Sequence, residues 1–395
     1  MNILMVLENS FPPDERVENE IDILLKNGFQ ITLVCTKRGG KCEMEEKGNL
    51  IIRRIPLSEF IYKSGAIALE VPFYFNFWHK HLLCILKLTR FDAIHLHDLP
   101  LVKVCAGLAA EYRLPLVCDY HENRPEIMKM YRHVQSFPGK WLISVSRWLK
   151  YQLKETQKAD RLILVTDEAK DYYINNYGLD PGKIIVLPNY IVLDRFRKLI
   201  PENGLHPIEN KYFTVVYFGD TGIRRGTLTI LKAAEKLRDR NIRFLVIGTS
   251  SEQNLLVKSA ADRNLDNVTF TGWLPPAEAM KLISMSDAGV CPFLRNIHHD
   301  TTYANKMFQY MALGKPVIVS DCTAQANFVK REKCGVVFEA GNPDALYDRI
   351  IELTDRQKYD LFSKNASVCV TEKYNWETFG SRLIELYAKL TNPFI

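Results

Sequence analysis

Apolar residues along this chain fall into short, regularly spaced runs separated by amphipathic stretches. Ile3–Leu7 is a continuous apolar run that ends at Glu8 and Asn9, the pattern of a strand buried on both faces. Val17, Ile21, Leu24 and Leu25 then share one helical face that stops at Gly28, and Ile31–Cys35 is apolar again. Strand, helix and strand in that order form a βαβ unit and demand a parallel sheet. The alternation continues through Ala93–His97, Leu116–Cys118, Leu162–Thr166 and Ile184–Leu187. It resumes with Phe213–Phe218, Phe244–Ile247, Val268–Phe270, Gly289–Phe293, Val317–Val319 and Gly335–Glu339. Between the two series, Arg197–Asn210 carries prolines, Gly204 and few apolar residues, and reads as a linker between two α/β domains.

The stretch Asn305–Asp321 is the most informative. Thr301 and Thr302 offer hydroxyls where a helix N-cap is wanted, and Ala304, Met307, Phe308 and Met311 face inward at helical spacing. Asn305, Lys306, Gln309 and Tyr310 occupy the other side; Gly314 and Pro316 stop the helix before the β-branched run Val317–Val319. The free N–H groups of such a helix favour phosphate, and Lys306 adds a full charge, although an ordinary amphipathic helix with a solvated face has the same pattern. Upstream, Phe213–Phe218 passes into the glycine-bearing loop Gly219–Gly226. There the backbone can approach a ligand closely, and Arg225 can fork onto pyrophosphate. In the first half, Phe11-Pro12-Pro13-Asp14 cannot be helical throughout and lies at the carboxyl edge of the sheet, where open α/β sheets bind ligands. No G-x-G-x-x-G follows the first strand, so the dinucleotide fingerprint is absent. His95 and His97 share a face at period two, but no third ligand stands at metal spacing, and no metal is expected.

Composition narrows this picture only slightly. The 395 residues are 47% hydrophobic and 25% charged, as in soluble globular proteins, and the formal charge of +6 permits an anionic substrate without demanding one. Nine cysteines without a C-x-x-C pair point to a reducing, cytoplasmic setting and no structural zinc. No basic stripe interleaves with aromatics, so nucleic acid is not an expected partner. Residues 60–90, with Leu82, Leu83, Ile85 and Leu86 beside Lys80 and Lys87, read first as a helix packed on the sheet and second as an interfacial one; residues 137–150, with Trp141 and Trp148 among Lys140, Arg147 and Lys150, are the better membrane-surface candidate and equally an ordinary amphipathic helix.

Asn305–Asp321 resembles the sugar-nucleotide-binding helix and strand of GT-B glycosyltransferases, particularly glycosyltransferase family 4, whose motif is similar to E-x-x-A-x-G-x-P-V. The resemblance implies an α/β GT-B fold with two Rossmann-like domains facing each other across a deep cleft. The acceptor-side domain would span 1–200 with a crossover helix at 375–395, opened by Tyr374-Asn375-Trp376-Glu377, and the nucleotide-sugar domain 201–374. It assigns Gly219, Asp220, Gly222, Arg224 and Arg225 to a phosphate loop and pairs Arg225 with Lys306 as a pyrophosphate clamp near Asn305. Gly272 and Trp273 would meet the base. The family commonly has Arg at position 220 and Lys at position 225, whereas this chain has Asp220 and Arg225. The family's two glutamates fall on Thr301 and Gln309; Gln309 can still accept a hydroxyl, and Asp300 could stand in beside Thr301. Asp119-Tyr120-His121-Glu122 resembles the strand end whose histidine faces the donor sugar, which places His121 in the catalytic set and Glu122 on the acceptor side; a structural histidine is the alternative. Pro188-Asn189-Tyr190 resembles the family's P-N-G. The PPDERV loop makes Glu15 and Arg16 candidates for acceptor or phosphate contact, against a reading as surface charges. The implied reaction is transfer of a sugar from a nucleotide-diphosphate donor to an acceptor hydroxyl with retention and without an obligatory metal. The implied setting is surface polysaccharide or glycoconjugate biosynthesis on the inner membrane face, with a lipid-linked saccharide as acceptor. Loss of both glutamates keeps open a non-catalytic partner or scaffold subunit, and the shared architecture keeps open a nucleotide-sugar epimerase.

Overall fold

The computed structural model describes residues 1–37, 42–137, 139–200 and 211–391. Most of the expected linker, 201–210, lies outside the described residues. The chain divides into one unit of Met1–Pro188 with Gly380–Ile395 and a second of Asn189–Phe379.

Unit 1 contains strands β1 (Asn2–Ser10), β2 (Gln30–Lys37), β3 (Met44–Lys47), β4 (Leu50–Pro56), β5 (Ala93–His97), β6 (Leu116–Tyr120), β7 (Arg161–Leu164) and β8 (Ile184–Val186). Their order is β3-β4-β2-β1-β5-β6-β7-β8, parallel except for the antiparallel β3–β4 edge. The apolar runs of β1, β5 and β6 are buried as the sequence pattern requires. The hairpin edge has no such pattern: β3 reads Met-Glu-Glu-Lys, and Arg54 of β4, itself buried, ion-pairs with Glu45 at 2.7 Å. Charge on an edge strand blocks further pairing. In residues 60–90, the helix Phe73–Leu88 buries Tyr74, Trp78, Leu82, Ile85 and Leu86, so its main face packs into the unit. The expected single terminal helix is broken at Gly380 into Trp376–Phe379 and Ser381–Thr391. The second piece buries Leu383, Leu386 and Tyr387 in unit 1, with the Tyr387 hydroxyl 2.7 Å from His95 Nδ1.

Unit 2 is a fully parallel sheet of β9 (Phe213–Phe218), β10 (Ile242–Ile247), β11 (Val268–Gly272), β12 (Ala288–Cys291), β13 (Val317–Ser320) and β14 (Gly335–Phe338), in order β11-β10-β9-β12-β13-β14. The helix Asn305–Ala312 buries Met307, Phe308 and Met311 as spaced, and Gly314 adopts φ +67° just past its end. Two details differ from expectation. Tyr310 is not on a polar face but fully buried: Gly289 makes room, since a Cβ there would lie 2.1 Å from its ring, and its hydroxyl accepts the Phe218 N–H at 2.8 Å. Thr301 and Thr302 do not cap the helix. The N-cap is Ala304, and the two hydroxyls donate backward to the carbonyls of Ile297 (2.8 Å) and His298 (2.9 Å).

Strand order reverses between β1 and β5 in unit 1 and between β9 and β12 in unit 2. Such switch points open a crevice at the carboxyl ends of the strands, where ligands of α/β sheets bind. No described helix is long and apolar enough to cross a membrane.

Candidate active site

In unit 2, β9 runs into the Gly219–Gly226 loop beside the switch point. Gly226 adopts φ +81°, and a Cβ there would lie 1.7 Å from the Pro292 carbonyl oxygen, so only glycine fits. Asp220 closes the loop: one carboxylate oxygen accepts the Gly222 N–H at 2.9 Å, and the other lies 2.6 Å from Arg224 Nη2 and 3.5 Å from Arg225 Nε. Where the family resemblance expects a cation, this chain therefore places an anion that tethers two neighbouring arginines. The Arg225 guanidinium also stands 5.3 Å from the centre of the Phe293 ring. Lys306 reaches in from the first turn of Asn305–Ala312. Its Nζ lies 3.7 Å from the centre of the Tyr217 ring and 3.2 Å from where a Cβ on Gly219 would stand. Among the described residues, no carboxylate lies within ion-pair distance of it. Burial drives its ammonium down, and Arg225 pushes the same way, to about 7.

The other donor-side candidates divide. Asn305 is exposed and Gln309 partly buried on the same helix as Lys306. Trp273 is 70% exposed just after Gly272, which ends β11 with φ +70°. Thr301 and Asp300 are engaged elsewhere. Thr301 is buried and hydrogen-bonded to main chain, and Asp300 Oδ1 accepts the Thr323 N–H (2.8 Å) and hydroxyl (2.9 Å) at the start of the following helix. One oxygen of the Asp300 carboxylate is thus held by the start of the next helix.

In unit 1, four elements bring charges together at the switch point. Arg16, expected at an acceptor or phosphate, instead turns inward: its Nε and Nη2 lie 2.7 and 2.6 Å from the two Asp119 oxygens, and Nη1 donates to the Leu187 carbonyl at 2.9 Å. Glu15, on the first turn of the same helix, is exposed. Asp119 Oδ2 also lies 3.0 Å from His121 Nε2 and 3.3 Å from His97 Nδ1, and Asp98 Oδ2 lies 3.8 Å from His121 Nδ1. Burial alone would lower His121, but Asp98 and Asp119 outweigh it and lift it to about 9, so the imidazole is cationic at neutral pH. Burial opposes ionisation of Asp119, yet Arg16 and His121 hold it well below the usual carboxylate range. Behind them, burial and then Asp119 push Glu20 well up, while burial pushes His95 well down; both are neutral, with Oε2 and Nε2 3.4 Å apart.

Glu20, His95, His97 and Asp119 present ligand atoms within 4.8 Å of one another, a donor set chemically able to hold a metal. Arg16, 2.6 Å from Asp119 and 3.2 Å from Glu20, already supplies the positive charge a metal would bring. The sequence showed the two histidines but not the carboxylates, which come from a helix and a different strand. Their one legible signal is a charged residue, Asp119, inside an otherwise apolar strand. Also on the carboxyl edge of this sheet is a cavity of about 360 Å³ lined by Glu8, Tyr62, Tyr74, Arg124, Tyr131 and Trp148 among others. Glu122, the remaining acceptor-side candidate, is partly buried 3.7 Å from Arg124 Nη1.

Known proteins share this architecture. Sucrose-phosphate synthase of Thermosynechococcus elongatus superposes with a TM-score of 0.77 at 17% identity, covering 100% of both chains. HepE of Anabaena, solved with UDP and glucose, superposes at 0.68 and 15% identity over 98% of this chain and 99% of its own. The fold is thus that of a GT-B glycosyltransferase, two parallel-sheet α/β units. Two family models divide the sequence: Glycosyltransferase Family 4 matches residues 16–195 and Glycosyl transferases group 1 matches 212–356. The chain belongs to this family 4/group 1 class of glycosyltransferases. Among curated relatives, the UDP-Gal:α-D-GlcNAc-diphosphoundecaprenol α-1,3-galactosyltransferase of Escherichia coli is 23% identical over 316 residues, 77% of this chain and 76% of that protein.

Proposed function

We propose that this glycosyltransferase takes its sugar from a nucleoside-diphosphate sugar held by unit 2 and passes it to a hydroxyl of a saccharide acceptor recognised by unit 1. The observation that carries the donor half is Lys306: a partly buried cation set against a glycine loop, with no carboxylate in ion-pair reach among the described residues and its ammonium lowered to about 7 by desolvation. A diphosphate would supply the missing counter-charge and restore its proton. Arg225 and Arg224 need only turn from Asp220 to add guanidinium contacts. Three cations at one loop stabilise a departing diphosphate electrostatically, so the reaction needs no resident metal and survives chelation. Gln309 replaces the family's carboxylate by a neutral hydroxyl acceptor on the same helix, and Gly272 and Trp273 are assigned to the base. His121 is assigned the donor-sugar role that the family resemblance gives it, as a cation, and the transfer is assigned retention of configuration. A UDP-type donor and a lipid-linked acceptor are favoured by the UDP of HepE and the diphosphoundecaprenol acceptor named for the E. coli relative. The acceptor half would then work at the cytoplasmic membrane face, with residues 137–150 the better surface contact: Trp141 is 84% exposed there, whereas Trp148 is buried.

The test is a product assay with labelled UDP-, GDP- and dTDP-sugars, with and without extracted lipid-linked saccharides. Release of the nucleoside diphosphate with label passing to the lipid phase, lost in Lys306→Met, is the expected result. Conversion to another nucleotide sugar without diphosphate release would mean an epimerase. No turnover of any donor would leave the scaffold reading standing. NMR of the product's anomeric proton decides retention.

A further inference from the structure

We infer that Glu252 is a positioning residue of the transferase, acting through the Ile223 N–H to set the turn that carries Arg224 and Arg225. This rests on the donor reading of unit 2 and adds a residue to it. Glu252 stands outside the Gly219–Gly226 loop, between β10 and the helix Gln253–Asp262. It occupies the N-cap position of that helix, yet its side chain makes no capping bond there. The carboxylate reaches across instead, and its Oε2 accepts the Ile223 N–H at 2.8 Å. Ile223 opens the short turn Ile223–Arg225, and the first N–H groups of a helical turn have no partner within it. A charge-assisted bond from a neighbouring element fixes that start, and the two arginines follow it directly in the chain.

The ground on which Glu252 stands is itself fixed to the loop. Gly248, just after β10, adopts φ +126°, and a Cβ there would lie 1.9 Å from the Gly219 carbonyl oxygen. Only glycine fits, so the backbone leaving β10 lies against the first residue of the donor loop. Side chains of the same connection hold the loop as well. The Thr221 hydroxyl donates to Gln253 Oε1 at 2.6 Å and lies 3.1 Å from Ser250 Oγ, which accepts the Glu252 N–H at 3.1 Å. Two carboxylates thus hold two consecutive N–H groups: Asp220 that of Gly222 from within the loop, and Glu252 that of Ile223 from outside it. They differ in what else they touch. Asp220 also pairs with both arginines and so competes with an anionic ligand. Glu252 has no ion pair among the described residues, so a ligand can take the arginines while Glu252 keeps their backbone in place.

Calorimetric titration tests this with whichever of UDP, GDP, dTDP and ADP the wild type binds tightest. Glu252→Gln keeps an acceptor oxygen at the same reach and should bind within about threefold of the wild type. Glu252→Asp keeps the charge but falls one methylene short, and it should lose about tenfold, as should Glu252→Ala. The loss should run through the arginines, so in an Arg225→Met background Glu252→Ala should cost less than about a further twofold. An equal loss in both backgrounds would mean a purely structural glutamate, and tighter binding in Glu252→Gln would mean a competitor of the ligand. Either result overturns the assignment, as does unchanged affinity in Glu252→Asp and Glu252→Ala. Urea unfolding of each variant shows which are folded; if Glu252→Ala is not, equal affinities of Glu252→Gln and Glu252→Asp overturn it instead. Wild-type binding with indifferent variants sinks this assignment alone, whereas a wild type that binds none of the four nucleotides takes the donor reading down with it.

Discussion

The two units manage buried charge in opposite ways. In unit 1, Arg16, Asp119, His121 and Asp98 satisfy one another, and Glu20 and His95 behind them are held neutral. In unit 2, Lys306 lies against an aromatic face and a glycine loop, feels Cys291 and Asp220 without an ion pair among the described residues, and the arginines beside it are held by Asp220. The paired charges of unit 1 set shape and fix a proton on His121, although Glu20 Oε1 and Oε2, His95 Nε2 and His97 Nε2 behind them make no hydrogen bond among the described residues. The incomplete set in unit 2 is the site proposed for an anion, since a partly buried charge without a counter-charge gains most from a ligand that pairs with it.

The largest way to break this contrast is Arg16→Met. It leaves Asp119 buried without its main partner and is expected to cost about 3–5 kcal/mol of stability, read from urea unfolding. Lys306→Met should behave in the opposite sense. Apo stability should hold or rise, because an unpaired cation is removed, while diphosphate affinity falls by about 1.5–3 kcal/mol in calorimetry, the worth of a hydrogen bond to a charged group. Asp220→Asn frees both arginines from a partly exposed pair and should tighten diphosphate binding by no more than about 1 kcal/mol. If it weakens binding instead, the carboxylate is a ligand contact or an essential loop tether rather than a competitor.

The pH responses sharpen the comparison further. Lys306 binds fewer protons folded than unfolded above its folded value near 7, so its contribution to apo stability grows from pH 7 toward the ordinary lysine value. Diphosphate affinity should fall over the same range, because binding takes up its proton. His121 is raised to about 9, so the stability it contributes is full below the ordinary histidine value and is lost as pH rises through 9. Thermal unfolding from pH 6 to 9.5, with Lys306→Met and His121→Asn beside the wild type, should separate the two opposing slopes.

How legible each unit was follows the same physics. Ala93–His97 and Phe213–Phe218 match observed strands to the residue, because strands with buried centres are written in apolar, β-branched and aromatic residues with few polar interruptions. The β3–β4 hairpin wrote nothing comparable, since its edge strand is charged and exposed. Tyr310 read as polar because its hydroxyl suggested a wet face. The space for its ring comes from Gly289, on a strand that no helical periodicity can see. The unit 2 loop was legible from glycines followed by arginines, and the structure places Lys306 against it. The unit 1 network was half legible: His95, His97 and His121 stood out, but Glu20 carried no signal and Arg16 read as a ligand contact or a surface charge. Only the fold brings 16, 20, 95 and 119 together. Thr301 and Thr302 misled as helix caps for a related reason, since short polar side chains near helix ends are taken by neighbouring main chain in more than one way.

The anion proposed for Lys306 and the arginines of unit 2 is a nucleoside diphosphate. Calorimetric titration of UDP, GDP, dTDP and ADP at pH 7, in two buffers of different ionisation enthalpy, measures this most directly. One nucleotide should bind clearly tighter than the others with net proton uptake, and both the binding and the uptake should disappear in Lys306→Met. Binding without proton uptake, or binding that Lys306→Met leaves unchanged, would contradict the account.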